Sequence, residues 1–303
     1  MRKYLSITSF IIATGFLVYF IVTNNDKISV LYLKVLNPLF LVLITILLLI
    51  FVSNGIRIAW INMQFFDIRM KIDSWLELPL AMSYAGMVFP IKGGALYQMQ
   101  YFKKNYDLAY SNSVSNIIIT TLMPISLIGF IAFVFALVQE NLSTGSSLIF
   151  GCALTIFPLT LASVLFLSSL QRSLDLDFSF ISKLRTALLA TKNWSPYFVF
   201  VLLVLSLIKL CFEISWFLTA FYVMGINVEI SFAIFLVLIR NIAAFIKIVP
   251  GNIGINELLA TLSSSFVGCS DVDSFSTMLL LRVTSLILTF TMGLYFFNKK
   301  PMF

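Results

Sequence analysis

Residues 197–223 read YFVFVLLVLSLIKLCFEISWFLTAFYV, an apolar run broken only by the charges of Lys209 and Glu213. A helix needs about 20 apolar residues to cross roughly 30 Å of hydrocarbon, so this run predicts a transmembrane helix. Lys209 and Glu213 stand four residues apart, on one helix face, where each neutralises the other. Outward from this segment the same pattern recurs at 4–22, 38–61, 113–137, 147–168 and 274–297. With 60% hydrophobic and 11% charged residues, the chain lies far from the composition of a water-soluble domain. The expected fold is an all-α polytopic membrane protein with six full spans, residues 1–303 forming a single integral membrane domain.

Two further apolar stretches, 76–104 and 231–268, are interrupted by Pro90 with Gly93 and Gly94, and by Pro250 with Gly251 and Gly254. Each reads as a broken helix pair. If both pairs return to the side they enter, most lysines and arginines of the connections fall on one face, and only Lys27 and Lys34 on the other. The positive-inside rule then places both termini in the cytoplasm. Two full crossings per pair leave that orientation unchanged; the proline and glycine breaks favour re-entry. Both tips carry Pro-x-x-x-Gly, Pro90 to Gly94 and Pro250 to Gly254, opening from opposite sides, as in an inverted repeat with a binding site between its halves. Ordinary kinking prolines are the alternative.

Arg2 and Lys3 before the run 4–22 imitate a signal peptide, but no small-residue cleavage site follows, and the segment reads as a retained anchor. Residues 174–194 space apolar and basic side chains as in a helix lying along the inner interface. Cys152, Cys211 and Cys269 show no pairing or metal-ligand spacing. The chain has no histidine, which removes Ser-His-Asp and Cys-His schemes and histidine-ligated metal sites. Nor does it hold a phosphate-binding lysine loop or a dinucleotide glycine fingerprint. No cofactor, metal or nucleic-acid partner is expected, and the pattern reads against an enzyme.

Charge inside a span costs about 2.5–3.5 kcal/mol on insertion scales, so each instance needs a reason. Arg57 and Lys247 stand near predicted segment ends, from which long basic side chains reach the interface. Arg240, Arg282 and Glu257 lie deeper and are the principal site candidates, joined by Lys92 at the first tip. An arginine fork recognises phosphate bidentately, and broken helix ends offer unpaired N–H groups to an anion. A phosphate-bearing lipid headgroup suits both features; an internal Arg–Glu bridge joining helices is the competing explanation.

The stretches VFPIKGGALYQMQYFKK at 88–104 and IRNIAAFIKIVPGNIGINELL at 239–259 resemble the lysylphosphatidylglycerol synthase transmembrane, or flippase-like, family. That family's motifs have the forms P-x-[RK]-x-G-E followed by a basic residue, and P-x-x-x-G-x-x-E. Pro90, Lys92 and Gly94 match the first, with Ala95 and Gln98 in place of its acid and its following arginine. Pro250, Gly254 and Glu257 match the second, and LLLRVTSLILTFTMG at 279–293 resembles the family's last helix, with Arg282 as its arginine. The resemblance implies a freestanding member without the soluble aminoacyl-transferase domain, for which lysyl transfer is not expected.

On that basis the expected function is flippase-like translocation of a phospholipid or lipid-linked glycan precursor across the cytoplasmic membrane, Arg240, Glu257, Arg282 and Lys92 meeting the headgroup. The alternative is a membrane enzyme or accessory subunit of polysaccharide or glycolipid assembly, with glycan-assembly enzymes as partners. Asp175 and Asp177 are the nearest approach to a metal-binding carboxylate pair.

Overall fold

The computed structural model describes residues 38–89, 93–138, 195–246, 255–264 and 269–299. These are helical, with no strand among them. In chain order the helices are α1 (Leu39–Phe66), α2 (Ser74–Val88), α3 (Gly93–Tyr106), α4 (Tyr110–Val138), α5 (Pro196–Met224), α6 (Ile230–Ile246), α7 (Ile255–Ser264) and α8 (Asp271–Leu288). A π-helical turn, Thr289–Gly293, carries α8 without a break into α9 (Leu294–Lys299). The chain is a multi-pass, all-α membrane protein.

Four described helices are long and apolar enough to span: Leu39–Phe66, Tyr110–Ile131, Pro196–Met224 and Asp271–Lys299. They answer the predicted segments 38–61, 113–137, 197–223 and 274–297. The predicted spans 4–22 and 147–168, and the interfacial segment 174–194, lie outside the described residues. Both interrupted stretches are helix pairs. At about 1.5 Å per residue, α2 with 15 residues and α7 with 10 fall short of the hydrocarbon thickness.

The α2–α3 pair is antiparallel, and its open ends are tied by Tyr101 Oη donating to Ser74 Oγ at 2.8 Å. Gly93 and Gly94 do more than break a helix: a Cβ on either would stand 2.3 Å from the Ala85 carbonyl oxygen or 2.5 Å from that of Met82. Only glycine lets α3 start so close to α2, the small-residue packing typical of membrane interfaces. The last span serves both pairs. At its end, Lys299 Nζ donates to Glu77 Oε1 at 2.8 Å, and Gly293 and Thr289 pack on α2, where Ser83 Oγ and Thr289 Oγ1 lie 3.1 Å apart. At its start, Ser264 donates to Asp271 Oδ1 at 2.5 Å and Ser274 to the Ala260 carbonyl at 3.0 Å, fastening the end of α7. The open end of α2–α3 and the end of α7 therefore sit at opposite ends of one span.

Two helix-interior prolines free carbonyls that other helices use. A proline lacks the N–H that would bond the carbonyl four residues earlier. Pro79 in α2 thus leaves the Trp75 carbonyl without its helical donor, and Gly55 of α1 packs on that oxygen so closely that a Cβ would stand 1.7 Å away. Pro124 in α4 does the same for Thr120, whose carbonyl accepts from Arg57 Nη2 at 2.8 Å. The main core is built by α1, α4, α5, α6, α7 and α8, and a smaller one by α1, α2 and α3.

Candidate functional site

Near the middle of α5, Lys209 Nζ donates to Glu213 Oε1 at 2.8 Å, the pairing that their spacing predicts. The second carboxylate oxygen, Oε2, accepts from Asn241 Nδ2 of α6 at 3.0 Å; Asn241 also donates to the Val237 carbonyl at 2.8 Å. Asn241 went unnoticed in the sequence because a neutral amide in an apolar helix carries no charge to flag it. Both oxygens of Glu213 are thereby engaged, deep in the protein and away from bulk water.

One residue earlier on α6, the Arg240 guanidinium lies over the Trp216 ring, its Cζ 4.7 Å from the centroid, with Phe217 at 6.0 Å. Stacking on indole is favourable for a cation and strengthens where water is excluded. It leaves the in-plane N–H groups free to face an anion. Arg240 Nη1 is buried with no hydrogen-bond acceptor among the described residues. Arg240 lies within electrostatic reach of both Glu213 and Arg282.

Arg282 of α8 and Glu257 of α7 form a buried bridge: Nε and Nη2 each approach Oε1 at 2.8 Å, and the Glu257 side chain is 1% exposed. Three of the predicted site residues, Arg240, Glu257 and Arg282, are thus brought into one region by α6, α7 and α8. The Arg–Glu bridge weighed as the competing explanation exists, but it accounts for Arg282 and not for Arg240. Lys92, Pro90, Pro250, Gly251, Gly254 and Lys247 lie outside the described residues.

Arg57 corrects the sequence-based expectation that it reaches the interface. It is 0% exposed. Helix α1 continues to Phe66, so Arg57 stands more than two turns inside it and cannot extend its head to water. Nη2 is held by the Thr120 carbonyl, while Nε and Nη1 find no acceptor among the described residues. The guanidinium lies within electrostatic reach of Glu213 and Lys209.

One of the first motif's two replacements forms a separate polar link. Gln98, where the resemblance implies an arginine, is buried in α3 and donates from Nε2 to Asn116 Oδ1 of α4 at 3.1 Å. A neutral pair stands there, and the basic character of the interior rests on α1, α5, α6 and α8.

The family model described as lysylphosphatidylglycerol synthase TM region matches residues 6–293. No curated protein and no solved structure gives a significant match. A match over nearly the whole chain leads to one conclusion: this chain belongs to the lysylphosphatidylglycerol synthase transmembrane-region family.

Proposed function

We propose that the chain translocates a lipid with an anionic headgroup across the cytoplasmic membrane, meeting the headgroup inside the protein at Arg240 beside the Arg282–Glu257 bridge. The family places the chain in lipid metabolism or transport. The observation that carries the finer reading is Arg240 itself, a guanidinium stacked on Trp216 with a buried N–H lacking an acceptor among the described residues. A buried cation is costly, and an arginine prepared on one face and unsatisfied in its plane is suited to a phosphate oxygen. The short helix pairs support the same reading, since interrupted helices let backbone polar groups line a path through the membrane. Lys92, which stands between α2 and α3 in the sequence, is proposed as a further headgroup contact. The excess of lysine and arginine in the connections on one side favours cytoplasmic termini.

The deciding experiment is a leaflet-accessibility assay on proteoliposomes, with fluorescent phosphatidylglycerol and a polyprenyl-phosphate probe in parallel. Wild-type protein moves at least one probe, and an Arg240→Gln variant of normal abundance does not. If folded wild type moves neither, translocation of these anionic lipids is wrong. Covalently altered lipid, formed when a sugar-phosphate donor is supplied, would instead favour the enzymatic role in glycolipid assembly.

A further inference from the structure

We infer that the headgroup taken by this chain carries a double negative charge, as a terminal phosphate or a diphosphate, rather than the single charge of a phosphodiester such as phosphatidylglycerol. This rests on the anionic-headgroup reading above and deepens it.

The inference comes from the stoichiometry of buried charge. Arg57 of α1, Lys209 of α5 and Arg240 of α6 lie within electrostatic reach of the Glu213 carboxylate. That carboxylate spends one oxygen on Lys209 and the other on Asn241, so neither arginine has a hydrogen bond to it. The neighbouring Arg282 is already matched by Glu257. Two guanidinium charges are left over, and three of their nitrogens lack an acceptor among the described residues: Nε and Nη1 of Arg57, and Nη1 of Arg240.

Among the described residues, Glu213 is the carboxylate within electrostatic reach of Arg57, Lys209 and Arg240. The apolar runs 4–22 and 147–168 contain no charged residue, and Asp26, Glu140, Asp175 and Asp177 lie in the polar connections of the sequence. Glu77 is bridged to Lys299 at the far end of the last span. Further buried polar groups on α5 lack partners among the described residues, one a donor only and one able to donate or accept. Ser206 Oγ and Trp216 Nε1, both on α5, are buried without a partner among the described residues. Ser206, Lys209 and Glu213 follow one another at helical spacing on one face.

Two uncompensated cations in such an interior are expensive unless an anion completes it. A phosphodiester cancels one charge. A phosphate monoester, at about −1.5 to −2 near neutral pH, or a diphosphate cancels both. Arginine forks on two helices then hold separate oxygens of the same group.

The test uses the full chain in detergent and short-chain lipids that dissolve as monomers: farnesyl diphosphate, dioctanoyl phosphatidic acid and dioctanoyl phosphatidylglycerol, with inorganic diphosphate as the headgroup alone. Binding is read by calorimetry at pH 8. The doubly charged lipids are expected to bind at least ~10-fold more tightly than phosphatidylglycerol, about 1.4 kcal/mol. Arg57→Gln is expected to weaken farnesyl diphosphate far more than phosphatidylglycerol and close that gap. Arg240→Gln is the second variant should Arg57→Gln fail to fold, and the same closure is expected of it. Equal binding of singly and doubly charged lipids overturns the charge assignment and leaves the anionic-headgroup reading standing. Binding of no phosphate-bearing lipid overturns both. Inorganic diphosphate binding as tightly as the farnesyl compound assigns the site to a soluble anion and overturns the lipid.

Discussion

Arg57 on α1 is positioned by Pro124 on α4, although the two are joined only through a third residue: the Thr120 carbonyl that Pro124 leaves without its helical N–H accepts from Arg57 Nη2 at 2.8 Å. A proline that would ordinarily weaken a helix here presents an acceptor to a buried cation. Replacing it separates helix stability from site geometry. In Pro124→Ala, the new N–H bonds the Thr120 carbonyl, a gain of about 0.5–1.5 kcal/mol to the helix, in competition with Arg57. Thermal melts should show an unchanged or higher Tm while headgroup binding weakens several-fold. A lower Tm with unchanged binding would show that Pro124 does not act through Arg57.

The Arg282–Glu257 bridge should behave as a coupled pair. Removing one partner of a buried bridge leaves an uncompensated charge and costs ~3–5 kcal/mol. Arg282→Gln and Glu257→Gln should each lower stability on that scale, and the double variant by much less than their sum, in a cycle measured by unfolding of the purified protein. Additive losses would mean that the two residues do not stabilise each other.

Gly55 and Gly225 make a contrast in what glycine is for. A Cβ at Gly55 would meet the Trp75 backbone oxygen at 1.7 Å, an atom that no rotamer change can move. Gly55→Ala should therefore separate α1 from α2 and cost ~3 kcal/mol or more, the upper range for overpacking. Gly225 ends α5 at φ 81° with nothing near its would-be Cβ. Gly225→Ala should cost only the left-handed backbone penalty, ~1–2 kcal/mol. Equal Tm losses in the two variants would contradict this ordering.

Lys103 and Asp107, at the exposed end of α3, form a 2.5 Å ion pair. Its hydrogen bond holds the Asp107 carboxyl below its ordinary value and the Lys103 ammonium above its own. The lowered acid contributes above its unfolded pKa and loses that contribution as pH falls through the folded one; the raised base loses its contribution as pH rises through its folded value. Between about pH 5 and pH 9 both are charged, so stability should not vary with pH through this pair. Exposure to solvent makes the contribution small and salt-sensitive. Asp107→Asn should leave Tm at pH 7 within error in 0.15 M salt, and a clear loss would reveal a structural role.

Much of this architecture is legible in the amino-acid sequence because lipid imposes one simple requirement: a span must be apolar for about 20 residues and satisfy its own backbone. That requirement located the four described spans within a few residues, and proline with glycine marked the interrupted pairs. Charge in an apolar run is equally conspicuous, so Arg240, Glu257 and Arg282 stood out, as did the i,i+4 pairing of Lys209 with Glu213.

What only the tertiary structure decided is which charges meet and which are left over. Arg57 stood four residues from the predicted helix end at 61, where its side chain would reach water; the helix runs on to Phe66 and buries it completely. Whether Glu257 serves Arg240 or Arg282, and that Asn241 rather than an arginine takes the second oxygen of Glu213, depends on how α5, α6, α7 and α8 are rotated against one another. The physical reason is one of range. Solvation by lipid acts on each segment alone and is written locally along the chain. Compensation of buried charge acts between segments distant in sequence, through a few ångströms of space that only packing can bring about.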